Sequence, residues 1–149
     1  MVKKILIGVL LLLVIIQFIR PSKNTGDAEG PNDITHYAQV PDSVMTILKV
    51  SCYDCHSNHT NYLWYHEIMP VGWLLNNDVV DGKKHLNFSE FTTYNKKRTD
   101  RKLKQIAEEV EEHAMPISSY TWMHKEAIMT DQQIKLVAGW AEELKKNNK

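Results

Sequence analysis

Cysteine is scarce in this chain of 149 residues: there are two, Cys52 and Cys55. A structural zinc site would need a second ligand pair of similar grade, and no further cysteine exists to supply it. The other histidines (His36, His59, His66, His85, His113, His124) form no H-x3–5-H pair. Net charge is lacking too. Eighteen basic residues face 18 acidic ones, which removes any general electrostatic case for nucleic-acid binding. No alternation of apolar and polar residues marks a β-strand, and no internal repeat is present. No acid, base or nucleophile constellation points to a substrate-transforming enzyme. The length suits one domain of modest size plus a tail or anchor.

What is there centres on Cys52-Tyr53-Asp54-Cys55-His56, a C-x-x-C-H pattern that takes up both cysteines. In that pattern each thiol can add across one haem vinyl group, and the adjacent histidine can supply an axial ligand to the iron. A redox dithiol or a structural disulfide is the competing reading of a bare C-x-x-C. A thioredoxin-like pair would open a helix within a β-α-β pattern, and no such strand pattern is found. Thiol–disulfide exchange through Cys52 and Cys55 stays as an alternative.

Residues 1–21 read as a signal anchor, or else a signal peptide. An apolar run from Ile5 to Ile19 is broken only by Gly8 and Gln17, and Lys3, Lys4, Arg20 and Lys23 flank it. As a helix the run covers roughly 22 Å. That is short of the hydrocarbon core of roughly 30 Å, although flanking Lys and Arg can snorkel. No A-x-A-like cleavage triplet follows, which favours an uncleaved anchor in membrane lipid. Either way the body is expected outside the cytoplasm, as c-type haem attachment also requires. With those basic flanks set aside the body is mildly acidic, a surface that suits solvent or a basic redox partner. Residues 22–40, rich in Ser, Asn, Gly, Asp and Pro, read as a flexible linker.

The domain is expected over 41–149 and to be all-α. Pro41-Asp42-Ser43 is a helix start, with Val44, Ile47, Leu48 and Ser51 on one face. After His56 a polar loop leads to Tyr62, Trp64 and Tyr65, which with Trp73 are candidates for packing the haem pocket. A helix opens at Met69-Pro70 and ends at Asp81-Gly82. Asn87 or Ser89 caps a short turn. A helix over Thr99–His113 buries Leu103, Ile106, Ala107 and Val110, while Glu108, Glu109, Glu111 and Glu112 face solvent. Pro116 stops it. Thr130-Asp131-Gln132-Gln133 is a capping box for a closing helix whose face is Ile134, Val137, Ala138, Ala141 and Leu144, flanked by Trp140.

A second axial ligand must come from elsewhere. Met115 is the first candidate, since it lies at a helix end and Pro116 would stiffen the loop presenting its sulfur. Met69 has the same Met-Pro context and is the alternative; His59 and His113 are further candidates. Core filling competes for any single Met. An open or labile sixth site, as in a haem-based sensor or ligand-binding module, is a further alternative.

Several motifs stand in one order: Cys52–His56, Asn61-Tyr62-Leu63-Trp64-Tyr65, Pro70-Val71-Gly72-Trp73-Leu74-Leu75, Leu86-Asn87-Phe88-Ser89-Glu90 and Met115-Pro116. Together they resemble the small haem-binding domain family of exported bacterial monohaem c-type cytochromes. The resemblance implies a cytochrome-c-like fold and one covalent haem c on Cys52 and Cys55. It further implies His56 as proximal ligand, and the family's Met-Pro pair falls on Met115-Pro116. Leu63 stands where the family pattern has Pro, and Asp78 where relatives often carry His. The expectation is a monohaem cytochrome anchored in the inner membrane, its domain facing the periplasm and passing single electrons to a membrane or periplasmic redox partner.

Overall fold

Where apolar residues recur every three or four positions, the chain folds as helices that bury that stripe. The computed structural model describes residues 1–148, and among these there is no strand, only an isolated bridge between Thr25 and His59. Helix α1 spans Val2–Ile16, α2 Ile34–Tyr37, α3 Asp42–Ser51, α4 Tyr53–His56 and α5 Val71–His85. Helix α6 spans Lys96–Glu111, α7 Ser118–Met123 and α8 Asp131–Asn147. Short 3-10 turns cover Trp64–Glu67, Phe88–Thr93 and Lys125–Ala127. The all-α expectation holds.

Helices α6 and α8 form the main pair, and α3 packs against α8. Their seam joins Leu103, Ile106, Ala107 and Val110 of α6 to Ile134, Val137, Ala138 and Ala141 of α8. Val44, Ile47 and Leu48 of α3 extend the same core to Phe88 and Phe91. Burying each such aliphatic or aromatic side chain contributes about 1.5–3 kcal/mol relative to exposure. The capping box at α8 is formed in both directions between Thr130 and Gln133. Asn95 caps α6 by accepting from the Arg98 amide at 3.0 Å, so that helix begins three residues before the expected Thr99. Asn87 caps the Phe88–Thr93 turn through the Ser89 amide at 3.0 Å. Helix α5 runs past Gly82 to His85, beyond the expected end. Gly82 is there for packing: a Cβ would lie 2.7 Å from the Cys55 carbonyl oxygen.

Two expectations about the N-terminal region need correction. Segment 22–40 is docked, not free. Asn24 donates from Nδ2 to the Ser57 carbonyl at 3.0 Å, and its own carbonyl accepts from the Thr60 amide at 3.0 Å. Gly26 N–H donates to the Asn58 carbonyl at 2.7 Å, and Asp33 and Ile34 are fully buried. The Asn, Asp and Gly content that reads as a linker serves as hydrogen-bonding and turn chemistry against the domain instead. The second concerns the anchor. Helix α1 has 15 residues, and no helix among the described residues is long and apolar enough to cross a membrane. Gln17 ends it: its side chain donates to the Leu13 carbonyl at 2.8 Å and to the Met69 carbonyl at 3.0 Å, and accepts from the Met69 amide at 2.9 Å. The helix end is thereby clipped to the domain, while the apolar side chains Ile5–Ile15 remain exposed.

Candidate haem site

The C-x-x-C-H pattern occupies the junction of α3 and α4. Cys52 leaves the α3 conformation, and the amides of Cys55 and His56 then donate to its carbonyl at 3.2 and 2.9 Å. One turn of helix therefore carries both thiols and the imidazole. The two intervening residues fix that turn from opposite sides. Tyr53 is buried, donates its hydroxyl to Asp33 at 2.9 Å and stacks on Phe88 with ring centroids 5.1 Å apart. Asp54 is also buried and accepts from the Asn61 amide at 3.1 Å, Asn61 Nδ2 at 2.9 Å and the Tyr120 hydroxyl at 2.8 Å. Thr60 Oγ1 donates to the Asp54 carbonyl at 2.6 Å.

Held this way, Cys52, Cys55 and His56 line a cavity of about 420 Å³. That lies in the size range of cofactor and ligand pockets, roughly 300–1,000 Å³. Leu86, Phe88, Ile106, Val110 and Ile117 supply apolar walls, and Asp78, His85, Lys102 and Gln105 add polar groups. The His56 ring nitrogen Nδ1 lies 3.0 Å from the carbonyls of both Gly82 and Leu86. A carbonyl only accepts, so Nδ1 carries the proton and Nε2 keeps its lone pair as a potential metal ligand. Burial lowers the His56 pKa, which favours this neutral form. Burial pushes the Cys52 thiol up to about 12, with the Cys55 charge adding to it. Cys55 is likewise raised to about 12 by burial and then by Asp54 and Asp78. Both thiols thus stay protonated at neutral pH, unlike the low-pKa cysteines used in disulfide exchange.

Met115 lines the same cavity. Helix α6 stops at Glu111, His113 turns left-handed at φ 54°, and the Ala114 and Met115 amides both return to the Glu109 carbonyl at 2.9 and 3.0 Å. This closure swings residue 115 off the helix axis and onto the cavity wall. The alternative Met69 is elsewhere. It is 2% exposed, with its sulfur against Gly72, and lines no part of the cavity. His59 and His113 also lie off it.

The expected aromatic wall is not formed by the residues named for it. Tyr62 and Tyr65 line a separate small cavity of about 30 Å³, with Tyr65 Oη 2.6 Å from His124 Nε2. Trp64 is 70% exposed. Trp73 donates its indole N–H to the Ile19 carbonyl at 2.7 Å and serves the docking of the N-terminal segment. The physical reason is local: the 3-10 turn Trp64–Glu67 sends neighbouring aromatics in different directions, and only Tyr65 and His66 are buried. Phe88 and Tyr120 line the cavity instead. Phe88 lay within a motif already singled out, whereas Tyr120 gave no periodic signal. Two thiols, an imidazole with a free Nε2 and a thioether around an apolar cavity are a donor set that fits haem.

No match was found among curated proteins or among solved structures. A family model described as the haem-binding domain matches residues 11–143, which includes every residue lining the cavity. Haem is therefore the cofactor the site accommodates, and the chain belongs to the haem-binding domain family.

Proposed function

We propose that the protein is a monohaem c-type cytochrome that passes single electrons on the periplasmic side of the inner membrane. One observation carries the reading: Cys52, Cys55, His56 and Met115 share one cavity although up to 63 residues of sequence separate them. Each thiol S–H would add across a vinyl C=C of the macrocycle, sulfur to one carbon and hydrogen to the other, with no leaving group. His56 would ligate through Nε2 while the Gly82 and Leu86 carbonyls fix its ring. Met115 would supply the second axial ligand. Once bound, the haem supplies a one-electron ferric/ferrous couple, which a methionine thioether raises in potential. The chain itself excludes water through Leu86, Phe88, Ile106 and Val110 and holds the ligands at fixed positions. No catalytic residue is assigned.

Membrane attachment through α1 is part of the proposal. A helix that is apolar along Ile5–Ile15 and left exposed by the described residues calls for an apolar surrounding such as lipid. With 15 residues it is too short to cross, and would instead sink its apolar side chains into the membrane face with Lys3, Lys4 and Arg20 at the polar boundary. The Gln17 clip would then hold the haem domain close to the bilayer, suited to a redox partner fixed in the same membrane.

A second reading, a haem-based sensor with a labile sixth site, draws on the fact that Met115 is presented by a loop and only half-buried. Replacing it separates the two. In a cytochrome, Met115→Ala abolishes the methionine-ligated ferric spectrum and gives a high-spin or exogenously ligated iron. In a sensor the wild-type iron is already open, and the substitution leaves the spectrum unchanged.

A further inference from the structure

The basic run at the start of α6 contains Lys96, Lys97, Arg98, Arg101, Lys102 and Lys104, and five of these six are exposed. Lys102 is the exception at 7% exposure, and it lines the haem cavity. Among the described residues its ammonium finds a single partner, Gln105 Oε1 at 2.8 Å, one helical turn further on. It joins no ion pair among the described residues; the pair on this helix is Lys104–Glu108 at 3.0 Å, facing solvent. An ammonium has three N–H donors and a full charge, and burying it against one neutral amide leaves most of both uncompensated. Burial, with Arg101 and Arg98 nearby, lowers its pKa, as follows for a cation without a counter-ion. A buried charge of this kind is retained where an anion meets it. The cofactor that fits this cavity carries two carboxylates.

We propose that Lys102, steadied by Gln105, anchors a propionate carboxylate of the bound haem, so that this turn of α6 is a propionate subsite. The inference rests on haem occupying the cavity. It goes beyond the ligands of the iron, because it assigns which edge of the pocket receives the charged rim of the cofactor. A lysine there neutralises a carboxylate beside the iron. Without it the surroundings become more negative and favour the ferric state.

The test uses the full-length haem-loaded protein with Lys102→Gln and Lys102→Arg. The expected result for Lys102→Gln is a shifted propionate bending mode in the resonance Raman spectrum together with a lower midpoint potential. Lys102→Arg, which keeps charge and donors, restores both towards wild type. A Lys102→Gln protein with wild-type mode and potential overturns the proposal. Should that variant fail to take up haem, the wild-type protein decides in its diamagnetic ferrous form. Nuclear Overhauser contacts between the Lys102 ε-methylene and the propionate methylenes support the subsite, and their absence overturns it. A wild-type protein that holds haem without thioether bonds would refute the c-type reading while leaving this test intact.

Discussion

Replacing Gly82 by alanine sets two effects of opposite sign against each other at the haem site. In a helix interior, Gly→Ala adds about 1 kcal/mol of stability through backbone entropy and propensity. At Gly82 the new Cβ would lie 2.7 Å from the Cys55 carbonyl oxygen and 3.2 Å from Cys55 Cβ. The first of these is backbone, so the helices must move apart. Overpacking of this kind costs about 1–3 kcal/mol. Gly139, in the middle of α8, has no atom within 4 Å of its would-be Cβ and is the control. Gly139→Ala should therefore stabilise by about 1 kcal/mol, while Gly82→Ala should range from neutral to about 2 kcal/mol less stable. For a chain of this size each kcal/mol moves the melting temperature by about 2–4 °C. Thermal unfolding of the haem-loaded proteins in one detergent, followed by circular dichroism, reads the difference. Because the Gly82 carbonyl is an acceptor for His56 Nδ1, the Gly82 variant should also disturb the axial-ligand spectrum. Equal stabilisation by both alanines, with no spectral change, would refute the close α4–α5 contact.

Met69→Ala should leave the iron spectrum intact while destabilising the fold by about 2–5 kcal/mol, because the side chain fills core; a lost ligand band in that variant would reverse the assignment of Met115. His66 is 3% exposed, and neither ring nitrogen makes a hydrogen bond among the described residues, the nearest charge being the Glu67 carboxylate 3.8 Å from Nδ1; His66→Phe therefore removes a desolvated polar group while keeping the tilted ring contact with Tyr62. The expected gain is about 1–3 kcal/mol in a urea titration. Burial lowers the pKa of both His56 and His66 below the ordinary 6.5, so the unfolded chain binds more protons than the folded one just below that pH. Stability is then fully present above pH 6.5 and is lost as pH falls through the window beneath it. Urea midpoints of the haem-free protein should fall between pH 7.5 and 5.5, less steeply in His66→Phe; a flat profile would contradict the buried neutral histidines.

The sequence carried those parts of the fold that follow from periodicity and capping. The stripes of α6 and α8 and the Thr130–Gln133 box depend on contacts three or four residues apart, and the chain displays such contacts directly. The site was legible where chemistry demands a fixed spacing, at Cys52, Cys55 and His56, and where a helix had to end, at Met115-Pro116. What could not be read depends on neighbours distant in sequence. Gly82 looks like a helix stop because its propensity is poor, and only the Cys55 backbone across the interface explains it. Residues 22–40 have the composition of a linker, and their hydrogen bonds are made with partners some 30 to 60 residues away, such as Ser57, Thr60 and Lys83 for Asn24. The aromatic run Tyr62–Tyr65 lies close to the motif in sequence, but its turn directs Tyr62 and Tyr65 to a different cavity and Trp64 to solvent. Lys102 was hidden inside a charge run, one buried lysine among exposed ones.

Covalent haem attachment at Cys52 and Cys55 is what makes the proposed cytochrome c-type. Intact mass spectrometry under denaturing conditions tests it, on full-length protein produced alongside a c-type haem maturation system. The expected result is a mass raised by one haem that survives unfolding, and loss of that retained haem when both cysteines are replaced by serine. A haem-free mass, from cells in which a control cytochrome matures normally, would contradict it.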